Sequence, residues 1–550
     1  MDLQFLDQQR SAKERARGGI FYSSSEMIAK TINPLFMDKI MALLDKDPEA
    51  GRAAVKALKI MDPACGNGNF LIYVYEALRD YGFSADQLYG IELDPHMAQS
   101  AREALPGARI VTSNALRLDW NEICQPDDNT FIIGNPPYIG DYRKSPGQKE
   151  DMALIFGNFP CRKLDYAASW FIKSARFLDN TRGAFSFIVT RSIACGVQGP
   201  KIFGLLFDMG YKIRFAYPLL PWDMPGAEVT VVIIGLDKNS GPAWRADPGS
   251  EDLKKVDNIN ANLAALPSIE IKERDLPLAP DLAPLLGGLN SASWGGLLLD
   301  NPNVMDPVAR KYIRPYIGGR EMIHNKPRYC FWLRDSSYSE RANSPLIQEA
   351  MTRTAAARQK AHVNIPAHLF PRAYATLPTR PYLAVPRVSK RTRRYFVCDV
   401  LEADVLPNSS IFWAYDDDGL IFAVMESSMF MAWQQLNGGA QSQNIRFLNT
   451  MVYNTFPLRA LSADKKAALC AAGEGIKKAR AAHPGMCLAD WYRPNEEPAD
   501  ILAAHEALDK VMDKIFAPGG VKDMTARQLA LLKEYDKMQA PRRRTLFDLD

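Results

Sequence analysis

Short apolar runs alternate with amphipathic helical stretches up to about residue 236, and this alternation leaves few folds open. Lys59–Asp62, Leu88–Leu93, Phe131–Gly134, Ala184–Thr190 and the β-branched Val229–Gly235 read as strands. Between them, Phe70–Arg79 places Phe70, Leu71, Val74, Ala77 and Leu78 on one helical face, and Tyr166–Leu178 is a second helix. Strands separated by helices pair in parallel and are covered on both faces, so the expectation is an α/β sheet. Residues 1–50 read as helical.

Beyond Leu236 the pattern fades. Residues 237–300 are rich in Pro, Asn, Asp and Gly and read as a connector with little core. A mixed, more β-rich region follows to about 460. The remainder turns Ala-, Lys- and Glu-rich, with amphipathic helices expected at Asp464–Ala481 and Ala499–Ile515. The division is therefore 1–240, a connector 241–300, a second domain 301–460 and a helical segment 461–550. A chain of 550 residues needs more than one core, which fits.

Other classes are disfavoured. No apolar run is long enough to cross a bilayer, and no apolar segment follows the charged N-terminus as in a secretory signal. None of the eight cysteines forms a C-x-x-C pair, and the six histidines include no H-x-x-x-H, so reduced thiols in a cytoplasmic protein without a metal site are expected. Net charge is only +4. Its distribution says more: Arg372, Arg380, Arg387, Lys390, Arg391, Arg393 and Arg394 follow one another with no acidic residue between them. Such a run suits either a solvated face or a phosphate-binding stripe.

The sharpest segment is Met61-Asp62-Pro63-Ala64-Cys65-Gly66-Asn67-Gly68-Asn69-Phe70, which leaves a strand and opens a helix. Gly66 and Gly68 permit a tight turn with close approach of a ligand to the backbone, and a helix N-terminus offers N–H groups to an anion. The third glycine of a dinucleotide fingerprint is missing, which disfavours NAD. The next strand ends in Ile91-Glu92-Leu93-Asp94-Pro95, and a carboxylate at that strand tip is placed to hold a ribose diol.

These two segments, followed by Ser113-Asn114-Ala115-Leu116 and Gly134-Asn135-Pro136-Pro137-Tyr138, resemble the amino-methylating DNA methyltransferases in content and order. The resemblance implies a class I, Rossmann-like, seven-stranded methyltransferase domain holding S-adenosylmethionine, with a C-terminal mixed α+β target-recognition domain and a helical tail. Asp62, Ala64, Gly66, Gly68 and Phe70 would line the methionine side, Glu92 would hold the ribose hydroxyls, and Asn114 would face the cofactor adenine. Gly19-Ile20-Phe21-Tyr22-Ser23-Ser24 resembles the family's N-terminal cofactor segment, adding Tyr22 and Ser23, although Ser23-Ser24 stand where the family has Thr-Pro.

The chemistry of Asn135-Pro136-Pro137-Tyr138 follows from its groups. The lone pair of an exocyclic amine on adenine is delocalised into the ring. Two fixed acceptors at its N–H groups draw the nitrogen toward tetrahedral geometry and stabilise the charge that develops there. The Asn135 side-chain oxygen and the Pro136 carbonyl can be those acceptors, with the prolines stiffening the loop. Neither a metal nor a covalent intermediate is required. The base must leave the duplex to reach the loop. Tyr138 offers one aromatic face, and Trp222, just before the Val229 strand, is the candidate for a second, with Tyr217 as the fallback.

Later segments, including Gln148–Met152, Leu164–Trp170, Ile317–Arg320, Pro386–Ser389, Tyr453–Pro457 and Leu488–Tyr492, resemble the methyltransferase and target-recognition parts of MmeI-like restriction–modification enzymes across nearly the whole chain. That family carries an N-terminal nuclease. Fewer than twenty residues precede Gly18 here, so the expectation is a methyltransferase with its own recognition domain, or one subunit of a larger defence system. Double-stranded DNA is the expected partner and a monomer the expected state, because no sustained heptad seam is present. Within 301–460, Arg387, Lys390, Arg391, Arg393 and Arg394 are the candidate phosphate contacts, and Gln443 and Arg446 the candidates for base edges. Cytosine N4 as target, and a catalytically silent recognition subunit, are the alternatives.

Overall fold

The computed structural model describes residues 23–221, 230–289, 296–370, 377–441 and 444–539. Tyr22, Trp222, Arg372 and Gln443 lie outside the described residues. The chain forms two compact units, Met1–Glu270 and Ile271–Asp550.

The first unit is built on one sheet. Its strands are β1 (Lys59–Asp62), β2 (Leu88–Glu92), β3 (Arg109–Thr112), β4 (Thr130–Gly134), β5 (Ala184–Thr190), β6 (Lys212–Pro221), β7 (Thr230–Asp237), β8 (Ala243–Ala246) and β9 (Leu253–Val256). They lie in the order β3-β2-β1-β4-β5-β7-β6-β8-β9. The first five pair in parallel, while β7 runs antiparallel to both β5 and β6. The order of β1 to β7 is that expected of a seven-stranded sheet; β8 and β9 extend its edge. Residues 241–256, read from sequence as connector, are thus part of the sheet. Their strands are short and half exposed, and so lack the continuous apolar signature of buried strands.

Two apolar layers sandwich the sheet. Val232 and Ile234 of β7 point into one layer, with Phe171, Phe185 and Phe203; Val231 and Ile233 point into the other, with Ile28, Leu71 and Val74. This alternation is the period-two pattern of a strand buried on both sides. Truncating one of these buried aliphatics to alanine would cost about 2–5 kcal/mol. The covering helices are α1 (Ser25–Ile32), α2 (Asp38–Lys46), α3 (Pro48–Ala57), α4 (Asn69–Leu78), α5 (Pro95–Ala104), α6 (Pro146–Phe156), α7 (Ala168–Phe177) and α8 (Gln198–Asp208).

The second unit holds three small sheets and a helical end. One sheet is β10 (Leu286–Gly287), β18 (Ile411–Ala414), β14 (Tyr382–Pro386) and β16 (Asp399–Leu401). A second is β11 (Leu298–Leu299), β13 (Tyr329–Phe331), β12 (Ile313–Ile317) and β17 (Leu406–Pro407). The third is β15 (Val388–Lys390), β20 (Asn444–Arg446) and β19 (Gly439–Gln441). Helices Ala463–Ala481, Ala499–Phe516 and Met524–Gln539 follow. A buried polar network joins the helical end to the sheets. Arg480 pairs with the fully buried Glu426 at 2.7 Å and donates to Tyr492, whose hydroxyl lies 2.7 Å from His505 Nε2. Burial holds the His505 imidazole down at about 3, so it stays neutral inside this network. Losing Arg480 or Glu426 alone would strand the other's buried charge.

Candidate functional site

The site stands at the C-terminal ends of β1, β2, β3 and β4, where an open α/β sheet leaves room for a ligand. Its first wall is the turn after β1. Gly66 and Gly68 adopt left-handed backbone (φ +55° and +92°), and Gly68 caps α4 without a side chain in the way. The turn is tied to β2: Cys65 N–H donates to the Ile91 carbonyl, and Gly66 N–H to Glu92 Oε2 at 2.9 Å. Glu92 Oε1 accepts from Asp94 N–H at 2.8 Å, so both carboxylate oxygens are oriented by backbone. Burial raises the Glu92 carboxyl above its usual range.

Asp62, at the tip of β1, is buried and accepts from Ala64 N–H at 3.0 Å. Burial pushes its carboxyl up to about 8, against the pull of that hydrogen bond and with help from nearby Glu92. Asn114 follows β3. Its Oδ1 accepts from Leu116 N–H at 2.9 Å, and its Nδ2 donates to Asp151 Oδ2 at 3.1 Å.

Asn135-Pro136-Pro137-Tyr138 follows β4. Asn135 Nδ2 lies 3.4 Å from Ser23 Oγ. The loop is clamped just beyond its motif: Ile139 N–H donates to Asp165 Oδ1 at 3.1 Å, and the Ile139 carbonyl accepts from Tyr166 N–H at 3.1 Å. Pro136 is buried, and Tyr138 is half-buried with its ring against the core. Burial raises the Tyr138 hydroxyl well above its ordinary value.

These elements enclose a cavity of about 710 Å³. Of the sequence-predicted residues, Ser23, Asp62, Ala64, Gly66, Phe70, Glu92, Asn114, Asn135 and Pro137 line it. Gly68, Pro136 and Tyr138 are not among its lining residues. Among the further lining residues that carried no role in the sequence reading are Arg117, Asp151, Tyr166 and Trp170. Asp151, Tyr166 and Trp170 belong to segments noticed only as resemblances. They are placed by contacts made across long stretches of chain, such as Trp170 Nε1 donating to the Pro63 carbonyl at 3.1 Å.

In the second unit the basic stripe resolves into different environments. Lys390 and Arg394 are exposed, and Arg394 pairs with Glu506 at 3.6 Å. Arg391 is half exposed, and the Arg387 guanidinium lies 3.9 Å over the Phe412 ring. Arg393 corrects the expectation of a phosphate contact: it is 4% exposed, with burial pulling its guanidinium below the usual range. A side chain enclosed in this way does not offer its charge to a backbone phosphate. Arg446 is exposed on β20.

Among the described residues no group of three or more His, Cys, Asp or Glu is placed to hold a metal ion, and no helix is long and apolar enough to cross a membrane.

The strand order, the antiparallel β7 and a cavity over the strand tips bounded by a glycine turn and an acidic β2 tip define a class I methyltransferase. Three sequence models of one family match in succession: the MmeI DNA-methyltransferase domain over residues 96–245, the MmeI target recognition domain over 265–460 and the MmeI C-terminal domain over 461–541. The chain belongs to the MmeI family of DNA methyltransferases. It is similar to DNA methyltransferase A of Bacillus subtilis (strain 168), at 29% identity over 96% of this chain and 67% of that protein. It is also similar to the Type IIL restriction-modification enzyme MmeI solved in complex with DNA, with a TM-score of 0.88 and 28% identity over 97% of this chain and 80% of that one.

Proposed function

We propose that this chain transfers a methyl group from S-adenosylmethionine to N6 of an adenine turned out of duplex DNA. One observation carries the reading: Asn135 and Pro137 of N-P-P-Y share a cavity wall with Asp62, Glu92 and Asn114. The cavity fits the cofactor in size and in donor set. Its volume is that of a small-molecule site. Asp62 can take the methionine ammonium, Glu92 the ribose diol, and the exposed Leu93 adds an apolar surface to the lining that also holds Asn114.

When bound, the cofactor supplies an electrophilic methyl group. The remaining work falls to the chain. With Nδ2 of Asn135 turned toward Ser23, its Oδ1 is the amide's other end and accepts one N6 hydrogen. The Pro136 carbonyl accepts the second. Both oxygens favour a localised lone pair on N6 and its developing positive charge. The clamp on Ile139 keeps the loop from drifting as the base arrives, because effective catalysis depends on placement within about 1 Å. Stacking on the base falls to Tyr138 and to Trp222. The target recognition domain supplies sequence reading, and one catalytic loop per chain suits a monomer acting on one strand of an asymmetric site.

Single-molecule sequencing of DNA from cells expressing the chain tests this directly. N6-methyladenine at a defined motif is the expected result. N4-methylcytosine would change the target base, and unmodified DNA would leave a silent recognition subunit.

A further inference from the structure

The amide of Asn114 cannot turn over. Its Oδ1 faces Leu116 N–H, which can only donate, and its Nδ2 faces Asp151, which accepts. Asp151 sits on α6 and is 3% exposed. Besides Asn114, it takes the Tyr166 hydroxyl at 2.7 Å and Arg117 Nε at 2.5 Å. Burial alone would raise this carboxyl, but these three donors outweigh it and hold it below its usual range, so it is ionised. A reversed amide would set an oxygen against a carboxylate and an N–H against an N–H. After its two protein bonds, Asn114 keeps one N–H and one oxygen lone pair. Asn114, Asp151, Arg117 and Tyr166 all line the cavity.

We infer that Asp151 is a positioning residue: by fixing the Asn114 amide it makes the site read a 6-aminopurine and reject a 6-oxopurine. An asparagine with one donor and one acceptor pairs bidentately with the amino group and an adjacent ring nitrogen of adenine. A 6-oxopurine puts an acceptor where the amide oxygen already is. A carboxylate in place of Asn114 could only accept, so the amide and its fixed direction together carry the selectivity. The inference rests on the reading that this cavity holds S-adenosylmethionine.

The test is calorimetric titration of the full chain with S-adenosylhomocysteine and with its deaminated counterpart, S-inosylhomocysteine. The wild-type chain should prefer the adenosyl ligand by about 10-fold or more, as expected for one bidentate pair. Asp151→Leu should cut that preference to about 3-fold or less. Both affinities come from one protein sample, so a general loss of folded material cancels in their ratio. If Asp151→Leu does not fold, Asp151→Asn carries the same test, because a neutral amide can face either end of Asn114 and leaves only the Leu116 N–H to set its direction. Tyr166→Phe leaves the Asn114–Asp151 bond in place and should keep the preference. Wild-type preference retained in the Asp151 variants, or no preference in the wild type, overturns the inference. Failure of the wild type to bind S-adenosylhomocysteine at all would instead overturn the cofactor reading.

Discussion

The carboxyl of Asp62 fills the space that a side chain at residue 134 would need: a Cβ on Gly134 would lie 2.5 Å from Asp62 Oδ1. Gly134 has φ +148° and immediately precedes Asn135. Asp62 and the Asn135-Pro136-Pro137-Tyr138 loop are therefore packed against each other with no side chain between them. Gly134→Ala should strain the backbone and displace Asp62, at a cost of about 1–3 kcal/mol. Cofactor affinity and turnover should fall together. Retention of both within about 3-fold, by calorimetry and methyl incorporation, would show that the contact is unimportant.

Asn135→Ala should separate what Gly134→Ala couples. The variant keeps Asp62, Glu92 and the glycine turn, so S-adenosylhomocysteine should bind nearly as before. Turnover should drop by about 100-fold or more, the scale for loss of one preorganised polar group at a reacting centre. Glu92→Ala should do the reverse and weaken cofactor binding. It should also lower the melting temperature, because Glu92 accepts from Gly66 and Asp94 within the fold. Near-normal turnover by the Asn135 variant would end the acceptor assignment.

The pH dependence of cofactor binding should report Asp62. Its carboxyl is raised to about 8 by burial, so the unliganded site is protonated at neutral pH. The raised value stabilises the fold most below the unfolded carboxylate range, and that contribution is lost as pH rises through 8. An α-ammonium placed beside Asp62 favours the ionised form, so binding below pH 8 should release a proton. Affinity should therefore rise between about pH 6 and 8, until the ammonium itself begins to titrate. Titration calorimetry at pH about 7 in two buffers of different ionisation enthalpy measures the proton directly. Glu92 is raised by burial as well, so Asp62→Asn is the deciding control: proton release that survives it belongs elsewhere.

The legible parts of this protein are the local ones. β1 and β5 fall where periodicity put them, and Asp62, Glu92 and Asn135, which end or directly follow a strand in a short motif, all line the one cavity. Asp151 carried no such signal. Its meaning comes from Asn114, 37 residues away, and Tyr166, 15 residues on, both brought to it by the fold. The edge of the sheet escaped for another reason. β9 has no buried residue, so its burial pattern is that of a loop. Arg393 misled in the opposite direction, since a run of arginines reads as surface while the fold encloses one of them.

The sheet β15-β20-β19 of the target recognition domain carries one polar face. Val388 pairs with Arg446 and Lys390 with Asn444, and opposed residues in an antiparallel pair share a face. Arg446, Asn444 and Lys390 therefore stand on one side, while the buried Ser389 and Ile445 stand on the other. This puts a guanidinium, an amide and an ammonium on a single face, the combination that reads guanine, adenine and phosphate. Arg446→Ala should relax or change the methylated motif, read by sequencing. Lys390→Ala with Arg391→Ala should weaken binding to every sequence and flatten its salt dependence by about one unit per lost phosphate contact. Arg393→Ala should behave as neither. Its guanidinium lies inside, near Glu426, so the variant should melt at lower temperature while its folded fraction keeps the wild-type salt slope. A salt slope reduced by Arg393→Ala, with melting unchanged, would return that residue to the phosphate-binding set.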